Sequence, residues 1–290
     1  DVYKRQELPV VPIADPAEAP AAFASGLPVL GDEDAAPAFG TPTPDGARLA
    51  LHSLTQATAL AVSGAAGAIV TGPIAKSRLA EVASPHPAQT EFCADACGAR
   101  HDDAVMMLAG PNLRTVPLTV HVALTEVPGL ITRDLIERKA RIVARALARD
   151  FGLAPARIAV TGLNPHAGED GRMGREEIDT IIPAIKGLSA EGLAVTGPHP
   201  ADALFAAHER DKFDVALCMY HDQALIPIKT LDFDAGVNVT LGLPIVRTSP
   251  DHGTAFGIAG KNLASPGAMI AALRMAGECA ARRATTGQTA

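Results

Sequence analysis

The sequence predicts an α/β protein with a mainly parallel sheet. Short apolar runs, each long enough for one buried strand, alternate with longer segments whose apolar residues recur at helical spacing. Strands separated by helices in this way are typical of βαβ units, which build parallel sheets. Ligands of such sheets bind beyond the carboxyl ends of the strands, and several apolar runs here are followed directly by polar residues.

The composition indicates a globular protein without a nucleic-acid or membrane partner. Apolar residues make up 48% and charged residues 20% of the 290 residues, which suits one large core or two medium ones. The net charge is -7 and no long basic run is present, which argues against nucleic acid and anionic membranes. The four cysteines are Cys93, Cys97, Cys218 and Cys279, and they form no CxxC pair. They suit free thiols in a reducing compartment, so a cytoplasmic location is expected.

The first third of the chain predicts a proline-rich opening, a helix and a strand. Residues 8–45 contain many prolines, so only short strands and loops are expected there. A helix is predicted over about 49–63 and a strand at 68–70. The strand ends in small residues with Lys76 close behind, an arrangement that can bind an anion through backbone N–H groups. A plain turn with a surface lysine explains the same pattern equally well.

The middle of the chain predicts strands at 105–108 and 116–124, after a polar loop at 84–92. His121 lies in the second strand among aliphatic residues, where a histidine is more often part of the core than a ligand. The clearest helix spans 131–151, where one apolar stripe recurs at helical spacing. Thr132 suits its N-cap and Gly152 its end.

Three histidines follow or lie near the carboxyl ends of predicted strands. The strand at 158–161 leads into a glycine-rich loop, 162–171, that contains His166 and Glu169, before a helix at about 174–188. An apolar run at 215–220 stops at His221. Together with His121, these imidazoles could bind one metal ion, although three unrelated core histidines could also produce the pattern.

Charged and amide side chains follow His221 at regular intervals. Asp222, Lys229, Asn238 and Arg247 would be costly as core residues, because charged groups are rarely buried unpaired. As a site they make chemical sense, since the cations would hold an anion. A loop at 251–266 and a helix of small apolar residues to about 280 follow. The chain contains no GxGxxG motif, so a Rossmann dinucleotide site is not supported.

Four segments resemble the 4-hydroxythreonine-4-phosphate dehydrogenase family of pyridoxal phosphate biosynthesis. They read GLNPHAGEDGRMGREEIDTIIPAI, MYHDQALIPIK, GVNVTLGLPIVRTSPDHGTAFGIAG and TGPIAK, and the likeness spans about 49–276. The segment HGTAFGIAGKNLASP also resembles the adenosine-binding loop of isocitrate and isopropylmalate dehydrogenases. The resemblance implies their fold, with two α/β/α domains around a cleft, and a homodimer with a shared active site.

The resemblance also implies how the domains divide. A cofactor-side domain would comprise residues 7–85 plus 238–290, and a substrate, metal and dimerisation domain would comprise 86–237. The family usually opens with Gly-Glu-Pro-Ala-Gly-Ile-Gly on its first strand, and nothing here matches that segment. We therefore expect a chain truncated at its start, in which case an inactive protein that still dimerises is an alternative.

Site residues carry over from the family position by position. The metal ligands would be His121, His166 and His221, with His221 coming from the other subunit. Asp222 and Lys229 would be catalytic, although capping is an equally good role for Asp222, and Lys76 and Glu169 are weaker candidates. Substrate contacts would be Gln89, Thr90, Lys229, Asn238 and Arg247. Cofactor contacts would be His252, Gly253, Thr254, Ala255, Gly260 and Asn262.

One of these positions departs from the family pattern. Many relatives have histidine where this chain has Gln89. The amide keeps a donor and an acceptor but cannot carry a proton. If that position is catalytic in the relatives, this chain must perform the step differently or use another substrate.

The implied reaction is a metal-dependent oxidation by NAD or NADP. The substrate would be 4-phosphooxy-L-threonine, and the product a β-keto acid that decarboxylates to 3-amino-2-oxopropyl phosphate. Three neutral imidazoles suit Zn²⁺ best, with Mg²⁺, Mn²⁺ or Co²⁺ as alternatives. A paralogue acting on threonate or erythronate 4-phosphate is a second hypothesis. A phosphate acyltransferase is a third, although it would need neither three histidines nor an adenosine loop.

Overall fold

The computed structural model describes residues 9–34, 36, 39–75 and 89–287. Its strands are β1 (Val10–Ile13), β2 (Leu27–Leu30), β3 (Ile69–Val70), β4 (Val105–Ala109), β5 (Arg114–Pro117), β6 (Ile158–Thr161), β7 (Val195–His199), β8 (Val215–Cys218), β9 (Val237–Leu241) and β10 (Arg247–Pro250). Its helices are α1 (Ala19–Ala22), α2 (Pro44–Val62), α3 (Gln89–Ala96), α4 (Val127–Leu130), α5 (Arg133–Phe151), α6 (Ile182–Ala190), α7 (Ala201–Leu204), α8 (Ala207–Arg210), α9 (His221–Asp232) and α10 (Gly267–Thr285).

Most of the strands form one central sheet in the order β3-β10-β9-β4-β5-β8-β6-β7. β5, β8, β6 and β7 pair in parallel, as do β3 and β10. The joins of β9 to β10, β9 to β4 and β4 to β5 are antiparallel. β1 and β2 form a separate parallel pair. The predicted α/β class with a mostly parallel sheet is confirmed.

The register of the central strands determines where the site lies. Pro117 of β5 pairs with Cys218 of β8, and Val160 of β6 pairs with Leu217 of the same strand. All four residues of β8 are buried, as expected for a strand covered on both faces. Because these three parallel strands end at the same level, the loops that follow them emerge at one edge of the sheet.

The central sheet continues across the predicted domain boundary. Almost all of β9 belongs to the predicted cofactor-side domain. It pairs with β4 of the predicted substrate domain from Val105↔Leu241 to Ala109↔Val237. The division into 7–85 plus 238–290 and 86–237 stays a prediction.

In the described part of the chain, no helix combines the length and the apolar character needed to cross a membrane.

Two boundaries predicted from the sequence were wrong. The strand expected over 116–124 ends at Pro117, and His121 adopts a left-handed backbone with φ of 51°. Leu118 is buried and donates one more backbone hydrogen bond, to the Cys218 carbonyl at 2.8 Å, but the strand pairing with β8 ends at Pro117. Helix α2 begins at Pro44, earlier than expected, because Thr43 accepts a hydrogen bond from the Gly46 N–H and caps it.

Helix α5 confirms the predicted caps and buries its apolar stripe against the sheet. Thr132 accepts a hydrogen bond from the Leu135 N–H at 3.1 Å, and Gly152 ends the helix with φ of 71°. The core residues of the helix include Ile136 and Val143, both fully buried. At the end of the helix, the buried Asp150 accepts hydrogen bonds from two arginines.

That buried carboxylate gives a prediction for stability. Asp150 Oδ1 lies 2.7 Å from Nε of both Arg149 and Arg283, and Arg283 also donates to the Pro244 and Ile245 carbonyls. Asp150→Ala leaves Arg283 buried and unpaired, so we expect a loss of about 3–5 kcal/mol of unfolding free energy. Chemical denaturation measures it. Asp179→Ala, which removes an exposed pair with Arg175, should leave the denaturation midpoint almost unchanged.

The same carboxylate makes stability depend on pH. Burial opposes ionisation of Asp150, but the hydrogen bonds from Arg149 and Arg283 outweigh it and lower the pKa of the carboxyl. Because its pKa is lowered in the folded state, the ionised Asp150 contributes its full share of folding stability at neutral pH. That stability is lost as the pH falls through the pKa of Asp150 in the folded protein. A wild-type and an Asp150→Ala protein that lost stability in parallel on acidification would contradict this assignment.

Candidate active site

A cleft of about 1060 Å³ opens at the carboxyl edge of the sheet. Ten of the predicted site residues line it: Gln89, Thr90, His121, His221, Lys229, Asn238, Arg247, His252, Gly253 and Thr254. Asp222 lines a smaller adjoining pocket with His121 and His221. Five other predicted residues that the structure describes do not line the cleft: His166, Glu169, Ala255, Gly260 and Asn262. Lys76 and residues 84–88 of the predicted loop lie outside the described residues.

Two imidazoles meet in the cleft because their strands are neighbours. His121 follows β5 and His221 opens α9 after β8, and their ring centroids lie 5.8 Å apart at 41°. His121 is exposed, which removes the alternative that it is a core residue. The Nδ1 atom of His221 lies 2.7 Å from the Asp222 carboxylate. Such a contact fixes the ring and leaves Nε2 for a ligand, as in many metal sites.

His166 stands apart from this pair. It is exposed and lies in a turn whose residues 166–170 all have positive φ, between 41° and 82°. Across the described ranges, no group of three His, Cys, Asp or Glu side chains is placed to hold a metal ion. The family resemblance implied that His221 comes from the other subunit, but within one chain it is His166 that lies away from the other two imidazoles.

Arg247 is the buried cation of the cleft, with 5% of its surface exposed. Its Nη2 donates to Thr71 Oγ1 at 2.9 Å and to Gln89 Oε1 at 3.1 Å, and its Nη1 donates to Thr240 Oγ1 at 3.0 Å and less closely to Thr90. All four acceptors are neutral. Burial lowers the pKa of the guanidinium, opposed in part by Cys93 and the Glu91 carboxylate, and none of the described carboxylates forms a salt bridge with it. The site is therefore organised to receive an anion.

The second predicted cation is already neutralised. Lys229 Nζ lies 2.9 Å from Asp251 Oδ2, and both residues line the cleft. This carboxylate was not anticipated from the sequence, because Asp251 belongs to the loop after β10. Asn238 lies opposite Ser249 on β10, two residues from Thr240, so it faces the cleft beside the arginine.

Lys139 and Thr71 also line or support the cleft, and sequence reasoning missed both. Lys139 Nζ donates to the Leu118 carbonyl at 2.9 Å, and burial, aided by Arg138, lowers the pKa of the amine to about 8. Nothing in the sequence distinguishes it from the other charged residues of α5. Thr71 carried one signal in the sequence, since it directly follows the short strand β3 and opens the run of small residues before Lys76.

The predicted cofactor loop is only partly in the cleft. His252, Gly253 and Thr254 line it, whereas the loop then turns away through Ala255, with φ of 48°. Gly260 and Asn262 also have positive φ, 73° and 57°, a conformation that glycine and asparagine tolerate well. The adenosine site stays a prediction.

Comparisons with known proteins identify the family. The family model described as "Pyridoxal phosphate biosynthetic protein PdxA" matches residues 2–276. A 4-hydroxythreonine-4-phosphate dehydrogenase from Erythrobacter litoralis is 64% identical over 276 residues, which cover 95% of this chain and 82% of the relative. One from Zymomonas mobilis is 53% identical, with coverage of 95% and 83%.

A solved structure gives the same answer. The crystal structure of 4-hydroxythreonine-4-phosphate dehydrogenase from Klebsiella pneumoniae is 35% identical and superposes with a TM-score of 0.84, covering 96% of this chain and 84% of the other. The likeness predicted from the four sequence segments is confirmed, and the chain belongs to the PdxA family of pyridoxal phosphate biosynthetic proteins.

Proposed function

We propose that this chain is a 4-hydroxythreonine-4-phosphate dehydrogenase. It oxidises the secondary alcohol of 4-phosphooxy-L-threonine with NAD or NADP, and the resulting β-keto acid decarboxylates to 3-amino-2-oxopropyl phosphate. The names of its relatives support this activity. The observation that carries it is one cleft that combines a buried guanidinium, without a salt bridge to any described carboxylate, with a pair of imidazoles. A cytoplasmic location stays a prediction.

In this proposal Arg247 receives the phosphate of the substrate. Its planar guanidinium can offer two parallel N–H groups to phosphate oxygens. Gln89 and Thr90 lie at the same guanidinium, at 3.1 and 3.5 Å, and supply further hydrogen-bonding groups. Asn238 and Lys229 line the neighbouring wall. Because Asp251 balances the charge of Lys229, Arg247 supplies most of the net attraction.

The imidazole pair suits a divalent cation. His121 and His221 supply neutral nitrogen ligands, for which Zn²⁺ is the best match, and Mg²⁺, Mn²⁺ and Co²⁺ are alternatives. When bound, such a cation lowers the pKa of a hydroxyl group and stabilises developing negative charge. Since His166 lies away from the pair in its own chain, we assign the third ligand to His166 of the partner subunit. The active enzyme is then a homodimer with two shared sites.

The remaining residues orient the substrate and the cofactor. Asp222 holds His221 through the 2.7 Å contact at Nδ1. Lys229 is our candidate for accepting the proton of the alcohol, which requires that its ammonium first pass a proton to Asp251, 2.9 Å away. Asp222 is the second candidate. The loop that contains His252, Gly253 and Thr254 would hold NAD or NADP against the cleft, with Ala255, Gly260 and Asn262 further along it.

The test is an absorbance assay for NADH or NADPH. We expect reduction of NAD or NADP with 4-phosphooxy-L-threonine, loss of activity on chelation, and recovery on adding Zn²⁺. A kcat/KM comparison with threonate 4-phosphate and erythronate 4-phosphate separates the paralogues. Turnover of acetyl phosphate and coenzyme A, without any nicotinamide reduction, would contradict the proposal and favour an acyltransferase.

A further inference from the structure

Gln223 uses its whole amide group in hydrogen bonds at the edge of the sheet. It lies in the first turn of α9, two residues after His221. Its Oε1 accepts from the Met219 N–H and from the Thr161 hydroxyl, both at 2.7 Å. Its Nε2 donates to the Gly162 carbonyl at 2.8 Å. These three short contacts use both ends of the amide and both acceptor sites of its oxygen.

The three contacts join the two strands that lead to imidazoles. Met219 leaves β8 just before His221, and Gly162 leaves β6 just before the turn that contains His166. The two strands are paired in parallel, but their pairing ends at Val160↔Leu217. Gln223 therefore fixes the spacing between the segments that follow β6 and β8, beyond the point where strand pairing holds them together.

The turn that contains His166 needs such support. Residues 166–170 have positive φ, and non-glycine residues in this conformation cost about 1–3 kcal/mol each. The buried Glu177 holds the turn from its other side, where Oε1 accepts from the N–H groups of Leu163 and Asn164, both at 2.8 Å. The segment before His166 is thus clamped between Gln223 and Glu177.

We propose that Gln223 is a positioning residue that sets the loop bearing His166 relative to the loop that leads to His221 at the start of α9. It touches neither substrate nor metal. The inference builds on the proposed function, in which these loops present imidazoles to a divalent cation. Since His166 and His221 of one chain serve different sites of the dimer, the same amide connects the two sites.

Two substitutions separate the contacts. Gln223→Met has a similar length and removes all three hydrogen bonds. Gln223→Glu keeps the acceptor for Met219 and Thr161 but cannot donate to Gly162, so it removes only the contact to the residue that leads from β6 toward His166. Gln56→Met is the matched control, because Gln56 is exposed on α2 and does not line the cleft.

Hydrogen exchange of the metal-free protein and Zn²⁺ titration provide the readouts. We expect faster exchange in residues 162–171 of both Gln223 variants, with α5 unchanged. We expect the Kd for Zn²⁺ to rise about 10- to 100-fold, as for other residues that orient metal ligands. kcat should fall similarly, while KM should change little because Arg247 is untouched. The Gln56 variant should match the wild type in every measurement.

The inference is overturned if exchange in 162–171 and the Kd for Zn²⁺ both stay within twofold of the wild type in either variant. If Gln223→Met does not fold, Gln223→Glu carries the test because it retains two of the contacts. A wild-type protein that binds no Zn²⁺ would instead reject the metal assignment of the proposed function. The exchange comparison would still decide whether Gln223 positions the turn.

Discussion

His166→Ala is expected to lower kcat by about three orders of magnitude and to abolish tight binding of a divalent cation. Metal-ion stabilisation of developing charge is worth several kcal/mol, which corresponds to a rate factor of about a thousand. The fold should be retained because His166 is exposed. Steady-state kinetics and the metal content of the purified protein, measured together with the melting temperature, test the prediction.

The matched control for this variant is His208→Ala. His208 is also exposed and lies on α8, where its only described contact is a 3.5 Å ion pair with Glu209. Its removal should change neither metal content nor kcat. Full activity in the His166 variant would remove that imidazole from the metal site.

Arg247→Met is expected to raise KM for the phosphorylated substrate about 100-fold. Charge-assisted hydrogen bonds to a buried guanidinium are worth about 1.5–3 kcal/mol. Most of this binding energy is expected both in the enzyme–substrate complex and in the transition state of hydride transfer. kcat should therefore fall much less than kcat/KM. The comparison substitution is Arg145→Met, on the exposed face of α5, which should leave both parameters unchanged. An unchanged KM in the Arg247 variant would exclude that residue from the phosphate site.

The same substitution should not destabilise the fold. Arg247 is 5% exposed, its four hydrogen-bond acceptors are neutral, and its Nε has no partner among the described residues. The nearby Glu91 carboxylate attracts it without forming a salt bridge. Replacing a buried charge that forms no salt bridge by an apolar side chain of similar size is often neutral or stabilising. We expect the melting temperature of Arg247→Met to equal or exceed that of the wild type, which would mark the arginine as a residue kept for function.

The parts of the fold that depend on local pattern could be predicted from the sequence. β6 occupies the residues expected for it, and α5 begins and ends at its predicted caps, because burial periodicity and capping act over a few residues. The strand expected over 116–124 failed because apolar alternation continues where the ladder stops. No local signal separates a strand residue from a buried loop residue such as Leu118.

The composition of the site was only partly predictable. The position of His121 and His221 at strand ends placed them at one edge of the sheet, and the structure brings them together. The pairing of Lys229 with Asp251 and the contact of Lys139 with Leu118 depend on long-range packing that spacing along the chain does not encode. The place of His166 could not be settled from one chain at all, since the proposed ligand set spans two subunits.

The most direct test of a shared site is a heterodimer of His166→Ala and His221→Ala subunits, co-expressed with two tags and purified through both. If His166 acts across the subunit boundary, one site of this heterodimer is intact and the other carries both substitutions. We then expect about half the kcat of the wild type, although each parent homodimer is inactive, because a two-fold dimer has two equivalent sites. A heterodimer no more active than its parents would contradict the account.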